Sequence, residues 1–374
     1  MEQPKLTNKE VKKKNRNRIF RYICTHEKVS NPDIATELNL SLPTVTNTTR
    51  DLLACGLLED LGEMQSTGGR RARALCAASS SHFAVGLDIT RNHLGILLLN
   101  LTGAILKYER SQLEFSPESS YFCAVYQKVR EFLQGTAVSD EKILGIGIAF
   151  PGIVDPIRQT IQYSHALGLR DLPFAAIAKH FPWPCTFLND ANAGAFAEGT
   201  GTASASFFYL SLSNTVGGAL FHQGHLLPGN TFRCGEAGHM TLIPHGKTCY
   251  CGKQGCVDAY CSARILSDLS GGRLEDFFEQ LAHGSPSCTS VWTTYLEDLA
   301  TVINNLHMIL DYDIILGGYV GSFLSPWLDK IRQLVRDRNT FDEDSSFVKV
   351  CTYQVGAAAY GAAMQIMEAF LRTV

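Results

Sequence analysis

The chain reads as an α/β protein with a small helical head, and three observations set that expectation. From residue 83 onward, short apolar runs split by glycine alternate with helix-length segments, the pattern of layered sheets and helices. Ahead of that region, capped short helices precede two strand-like runs around an arginine-rich tip. Between Gly235 and Asp258, three cysteines and a histidine stand at metal-ligand spacing.

The head begins with a helix expected over residues 12–26, with Val11, Ile19, Phe20 and Ile23 as its apolar stripe. Ser30 is a cap for the next helix, with Pro32 in its first turn and Asp33 at the positive end of its dipole. Asn39-Leu40 forms a short turn. Ser41 then caps a third helix over 42–54, with Val45, Leu52 and Leu53 available for burial and Gly56 as its stop. Two short helices joined by so tight a turn make a helix-turn-helix. The third helix presents Ser41, Thr44, Thr46, Asn47 and Arg50, groups able to donate to phosphates and base edges. Leu57–Asp60 and Arg73–Leu75 read as a hairpin, and Arg70, Arg71 and Arg73 at its tip suit a wing lying along a sugar-phosphate backbone or in the minor groove. A helical protein-interaction module would explain the caps but not the arginine tip.

Charge agrees in direction only. Residues 1–75 hold 13 Lys/Arg against 9 Asp/Glu, while the rest hold 20 against 27. A basic head on an acidic body suits a polyanion partner, although a solvated face explains so small an excess as well. The chain's 374 residues imply two or three domains, and 45% hydrophobic with 18% charged residues is a globular balance. No 18-residue apolar span and no leader-like apolar segment is present. Twelve cysteines without an export signal are read as reduced thiols in the cytoplasm.

In the body, Phe83–Ile89 and Leu94–Leu99 are expected to pair as strands, followed by a third strand over 104–108, a helix over 119–133 and a buried strand over 143–149. His239, Cys249, Cys251 and Cys256 form a Cys₃His set, and Gly252 and Gly255 let the chain turn between the thiols. Four protein ligands leave no position for an activated water, so one structural zinc per chain is expected.

At this point the chain resembles the ROK family (repressors, open reading frames and sugar kinases). The resemblance rests on Gly235-Glu236-Ala237-Gly238-His239 followed by His-x9-Cys-x-Cys-x4-Cys, and on Leu188-Asn189-Asp190-Ala191-Asn192. It implies a winged helix-turn-helix over 1–78 and a duplicated actin-like or hexokinase-like body over 79–374. The two lobes would run over roughly 79–190, with a C-terminal return, and 191–345. It also implies a sugar pocket contacted by Asn189, Asp190, Glu236, His239 and Asp258. Asp190 takes the place of the kinases' general base, and Asp258 stands where the family usually has Glu. No Trp or Asn occurs in Ser164–Leu169, where many members carry both.

The kinases' phosphate loops are Asp-x-Gly-Gly-Thr-Lys and Gly-Thr-Gly-x-Gly-Gly-Gly. Here they read Asp88-Ile89-Thr90-Arg91-Asn92-His93 and Ser213-Asn214-Thr215-Val216-Gly217-Gly218-Ala219. Side chains at former glycines obstruct the close approach of backbone amides to phosphates. The expectation is a non-enzymatic, sugar-controlled transcriptional repressor, acting as a homodimer or dimer of dimers on pseudo-palindromic operator DNA with no membrane partner. A sugar kinase with an added regulatory head is the enzyme alternative. A repressor whose pocket is vestigial or binds another small molecule is the third reading.

Overall fold

The computed structural model describes residues 7–64, 73–200, 205–341 and 343–374. The head holds α1 (Asn8–Cys24), α2 (Asn31–Glu37), α3 (Leu42–Ala54), β1 (Leu58–Glu63) and β2 (Arg73–Ala77). Helix α1 starts earlier than its apolar stripe indicates, because Thr7 and Glu10 form a capping box. Val11 consequently lies in the exposed first turns, 40% accessible, whereas Ile19, Phe20 and Ile23 are fully buried. Ser30 and Asp33 cap α2 reciprocally, and Ser41 caps α3 through the Thr44 amide. Between these helices Asn39 takes a left-handed φ of 52°, which closes the tight turn. Val45 and Leu52 are buried as expected, but Leu53 is only partly so. Strands β1 and β2 pair antiparallel, and Val29 bridges to Leu75 beside them, completing a winged arrangement.

The body is built twice on one plan. The first sheet uses β3 (Phe83–Ile89), β4 (His93–Asn100) and β5 (Ile105–Gln112). Then come α4 (Ser119–Leu133), β6 (Ile143–Phe150), a small antiparallel sheet of β7 (Ile153–Asp155), β8 (Thr160–Ser164) and β9 (Leu169–Pro173), α5 (Phe174–Ala178), β10 (Cys185–Asn189) and α6 (Asp190–Gly199). The second sheet uses β11 (Phe207–Leu212), β12 (Val216–His222) and β13 (His225–Leu227). Beyond it lie α7 (Asp258–Cys261), α8 (Arg264–Ser267), α9 (Leu274–Ala282), α10 (Pro286–Leu310), β14 (Asp313–Gly317), α11 (Gly318–Gly321), α12 (Leu328–Arg336), β15 (Val348–Val350) and α13 (Ala357–Leu371).

The strand orders are β10-β6-β3-β4-β5 and β13-β12-β11-β14-β15. In each sheet the first three strands form an antiparallel meander, and the last two are added in parallel on the far side of the first strand. This is the duplicated hexokinase-like plan, although no repeat is visible at residue level.

Helix α13 returns to the first sheet and lies close against it because its contacting residues are small. A Cβ on Gly86 would stand 1.8 Å from the Ala359 carbonyl oxygen, and one on Gly361 would stand 1.8 Å from that of Ala193 on α6. The run Gly356–Ala363 is therefore a packing stripe. Farther along, Met364, Met367 and Leu371 of α13 share a continuous core with Ile19, Phe20, Ile23 and Val45 of the head. One helix thus touches the cleft at its start and the head at its end.

Candidate metal centre and ligand cavity

The three cysteines of the metal-ligand set lie in a loop, and His239 ends the short helical turn Ala237–His239. Thr241 bridges to Cys256 and Thr248 to Gln254, which folds the loop back on itself. Gly252 and Gly255 adopt left-handed φ values of 86° and 80°. At Gly255 a side chain is also sterically impossible, since a Cβ would fall 1.9 Å from the Ile243 carbonyl oxygen. The ligand atoms of His239, Cys249, Cys251 and Cys256 all lie within 4.8 Å of one another, so this group could hold a metal ion. A tetrahedral ion with Zn–S bonds of about 2.3 Å separates its sulfurs by about 3.8 Å. Cys251 Sγ and Cys256 Sγ are 3.8 Å apart. His239 Nδ1 is buried and has no hydrogen-bond partner among the described residues, leaving it available as the fourth donor. In the protein alone, burial pushes the Cys249 thiol up to about 12, and a bound divalent cation reverses that trend by favouring the thiolate.

The other face of this loop borders a cavity of about 400 Å³ between the lobes. Asn189 and Asp190 reach it from the β10–α6 junction, and Glu236 and His239 from the short helical turn after β13. Asn189 caps α6 by accepting from the Asn192 amide at 2.9 Å, while its Nδ2 donates to the Gly152 carbonyl at 2.9 Å. Its side chain is therefore oriented before any ligand arrives. Asp190 Oδ1 accepts from the Ala191 amide and from Asn189 Nδ2. Burial, followed by the charge of Asp88, pushes Asp190 up to about 7. Burial also raises Glu236, opposed by Arg233 and His165.

His239 Nε2 lies 3.3 Å from the Tyr250 hydroxyl and 3.9 Å from Glu236 Oε2, so the nitrogen beside these two groups is not the unpartnered Nδ1. Asp258 behaves differently from the other four expected sugar contacts. It is 5% exposed, does not border the cavity, and accepts from the Val216 amide at 2.6 Å. Two cavity-lining rings, His165 and Tyr250, escaped sequence reasoning. Tyr250 was legible as the residue between two ligand cysteines; His165 carried no local signal.

A second cavity, about 110 Å³, continues the cleft past Asp190 toward Asp88, Thr90, Thr215, Tyr319 and the start of α13. There the Thr90 amide and hydroxyl both donate to the His93 carbonyl, and the His93 amide donates back to Thr90 Oγ1. Arg110 stacks over the Tyr319 ring at 4.9 Å and donates to its hydroxyl at 3.2 Å. Burial pushes Asp88 up to about 6, eased by Arg110.

On the head, Ser41, Thr46, Asn47 and Arg50 are exposed on one side of α3, and Thr44 is partly so. Arg50 donates to Asn47 Oδ1 at 2.8 Å. Arg73 pairs with Asp60 at 2.5 Å. Arg70 and Arg71 lie outside the described residues. Among the described residues no helix is long and apolar enough to cross a membrane.

A two-lobed hexokinase-like body with a Cys₃His loop beside its interlobe cavity, preceded by a winged head, defines a ROK-type protein. The ROK family profile matches residues 84–368, and the chain belongs to that family. It is 28% identical over 260 residues to the xylose repressor of Bacillus subtilis strain 168, covering 68% of this chain and 67% of that one. It is 26% identical over 271 residues to the DNA-binding transcriptional dual regulator NagC of Escherichia coli K12, covering 70% and 67%. Among solved structures, a ROK family transcriptional regulator homologous to the E. coli MLC protein matches 97% of each chain with a TM-score of 0.74 at 21% identity. A ROK family glucokinase from Streptomyces griseus, in complex with glucose and AMPPNP, matches 76% of this chain and 98% of its own, with a TM-score of 0.61 at 22% identity.

Proposed function

We propose that the protein is a transcriptional repressor of carbohydrate-metabolism genes whose hold on operator DNA responds to a monosaccharide or close derivative bound between its lobes. The observation that carries this reading is α13. It borders the cleft at Gly356–Ala358 and joins the head's core at Met367 and Leu371, so a change in lobe geometry is delivered to the DNA-binding part. The xylose-repressor and NagC relatives support the same reading. For the sugar to release DNA, it must favour the head geometry that does not fit the operator.

In this proposal residues 1–78 are the DNA-binding domain and 79–374 the sugar-binding domain. Asn189, Asp190, Glu236 and His239 hold sugar hydroxyls, each hydroxyl being donor and acceptor at once. Asp258 acts indirectly, fixing the start of β12 through the Val216 amide. His239 Nδ1 and the thiolates of Cys249, Cys251 and Cys256 hold one zinc, which braces the loop and supplies no open coordination position. Ser41, Thr44, Thr46, Asn47 and Arg50 face the major groove, and Arg70, Arg71 and Arg73 form the wing. Two copies of the head read a pseudo-palindromic site in the cytoplasm, as a homodimer or a dimer of dimers.

We further propose that the chain is not an enzyme. A residual space of about 110 Å³ on the nucleotide side, a Thr90–His93 turn whose donors are spent on itself, and Tyr319 stacked under Arg110 all favour a closed nucleotide site. The kinase alternative is retained because Asp190 stands at the base position of the kinases. The deciding experiment is a DNA-binding titration on promoter regions neighbouring the protein's own gene, with and without a sugar panel, run beside a coupled ADP-release assay. Sugar-sensitive binding without ADP release is the expected result. Turnover that Asp190→Ala abolishes would overturn the non-enzyme reading.

A further inference from the structure

We infer that Tyr250 is a specificity-determining residue of the cavity, presenting the ring against which the C–H face of a pyranose lies. The inference rests on the sugar reading above and names an apolar face that the carboxylates and the amide of the site do not supply. A pyranose is amphipathic: its hydroxyl rim needs carboxylates and amides, and its C–H faces need an apolar plane. Asp190, Glu236 and Asn189 serve the rim. Among the cavity's lining side chains, Tyr250 belongs to the few that offer a broad flat face.

Three observations point to this ring. Tyr250 lies between Cys249 and Cys251, so once both thiolates hold one ion its backbone is fixed on either side. Only its two side-chain torsions remain, which is a small entropy loss for a large contact surface. Its surroundings on the cavity wall are equally defined. The ring centroid is 5.5 Å from that of His239, and the hydroxyl is 3.3 Å from His239 Nε2. Finally, the ring reaches across the cleft. It meets His165 edge-on at 5.4 Å, and His165 is held by Tyr163, whose ring is 4.3 Å away and whose hydroxyl lies 2.9 Å from His165 Nδ1.

Tyr163 and His165 belong to the first lobe's small sheet and its following turn, whereas Tyr250 belongs to the metal loop of the second. The two lobes therefore meet through these rings over the cavity. Tyr250 still keeps 43% of its surface exposed, so part of its face is open to a ligand. The segment Ser164–Leu169 contributes an imidazole and no indole. On the second-lobe side, the metal loop thus supplies a broad aromatic ring to the cavity wall.

The test uses the full-length zinc-loaded protein and isothermal titration with D-xylose, D-glucose and N-acetyl-D-glucosamine, with zinc content and sugar-free DNA binding measured on every variant. Tyr250→Ala is expected to weaken whichever of these sugars the wild type binds by roughly 5- to 10-fold, the scale of one lost aromatic contact. Tyr250→Phe, which keeps the ring and loses the hydroxyl, should restore affinity to within about 2-fold of wild type on the same scale. Zinc content and sugar-free DNA binding should be unchanged in both.

If Tyr250→Ala proves to lose zinc, the comparison passes to Tyr250→Leu against Tyr250→Phe, and only the Phe variant should bind as wild type. Wild-type affinity in a zinc-replete Tyr250→Ala or Tyr250→Leu protein overturns this inference and leaves the sugar reading standing. A Phe variant as weak as the Ala variant overturns it too, because the hydroxyl's hold on His239 would then carry the effect. A wild-type protein that binds none of the three sugars overturns the sugar reading and this inference together.

Discussion

Arg21 and Glu368, 347 positions apart in sequence, meet in a two-pronged ion pair: Nη1 to Oε1 at 2.8 Å and Nη2 to Oε2 at 2.7 Å. Arg21 sits in the last turn of the head's first helix, and Glu368 in the last turns of α13. Arg21 Nε also donates to Asn17 Oδ1 at 2.8 Å, and Asn17 in turn donates to the Leu371 carbonyl. The pair is therefore embedded in a short network that fixes how the head sits on the body. Planar, two-point recognition of this kind carries orientation as well as attraction.

Glu368→Gln removes the charge from this network while preserving its shape. Because Arg21 is about one-third exposed, the stability loss should be small, about 1 kcal/mol or less. The effect on regulation should be larger. The ratio of DNA affinities with and without sugar, whose coupling energy is typically ~1–3 kcal/mol, should fall by about half on that logarithmic scale. Fluorescence anisotropy on an operator fragment checks this, and an unchanged ratio would remove Arg21–Glu368 from the coupling route.

Metal analysis of protein purified without added metal should return close to one zinc per chain. Cys251→Ser should lose the zinc, lower the thermal midpoint by several degrees and abolish the sugar response, since His239 and Tyr250 depend on the same loop. Retention of a full zinc complement by the Ser variant would show that the four ligand atoms are not the site.

Asp190 sets a pH dependence whose sign is fixed. Its carboxyl is pushed from an ordinary 3.8 up to about 7 by burial and by Asp88. Between those values the folded protein holds a proton that the unfolded chain has released, so this group makes stability fall as pH rises through the window and level off above it. Asp190→Asn removes the contribution. Its gain in thermal midpoint over wild type should therefore be larger at pH 8 than at pH 5, as read by calorimetry in the absence of sugar. Equal gains at both pH values would contradict the buried-carboxyl assignment.

The DNA contacts proposed for the head are separable by mutation. Asn47→Ala on α3 should relax base preference at one operator position, at a cost of roughly 1–3 kcal/mol for the preferred base. Arg70→Ala or Arg71→Ala should weaken binding to all sequences and reduce the salt slope by about one. Arg73 is tied to Asp60, so Arg73→Ala should act more weakly than either. Salt titrations on specific and scrambled duplexes distinguish these outcomes.

Much of this molecule is encoded locally. The caps at Ser30 and Ser41, the strands of the first sheet, the small-residue stripe of α13 and the Cys₃His spacing are each decided within a dozen or two neighbouring residues. Such features depend on short-range hydrogen bonding, side-chain size and alternation. Val11 is exposed because an apolar residue at helical spacing is buried only if another element covers that turn, and among the described residues none covers the start of α1. Asp258 is expected to contact the ligand by its position in the motif, whereas its hydrogen bond from the Val216 amide, which satisfies a buried acceptor with a backbone donor, is a tertiary feature. His165 against Tyr250 and Arg21 against Glu368 were beyond the sequence, and the repeated plan of the two sheets was legible only through the family resemblance. Each depends on how segments far apart in the chain are registered against one another, and that registration is decided only when both lobes and the head pack around α13.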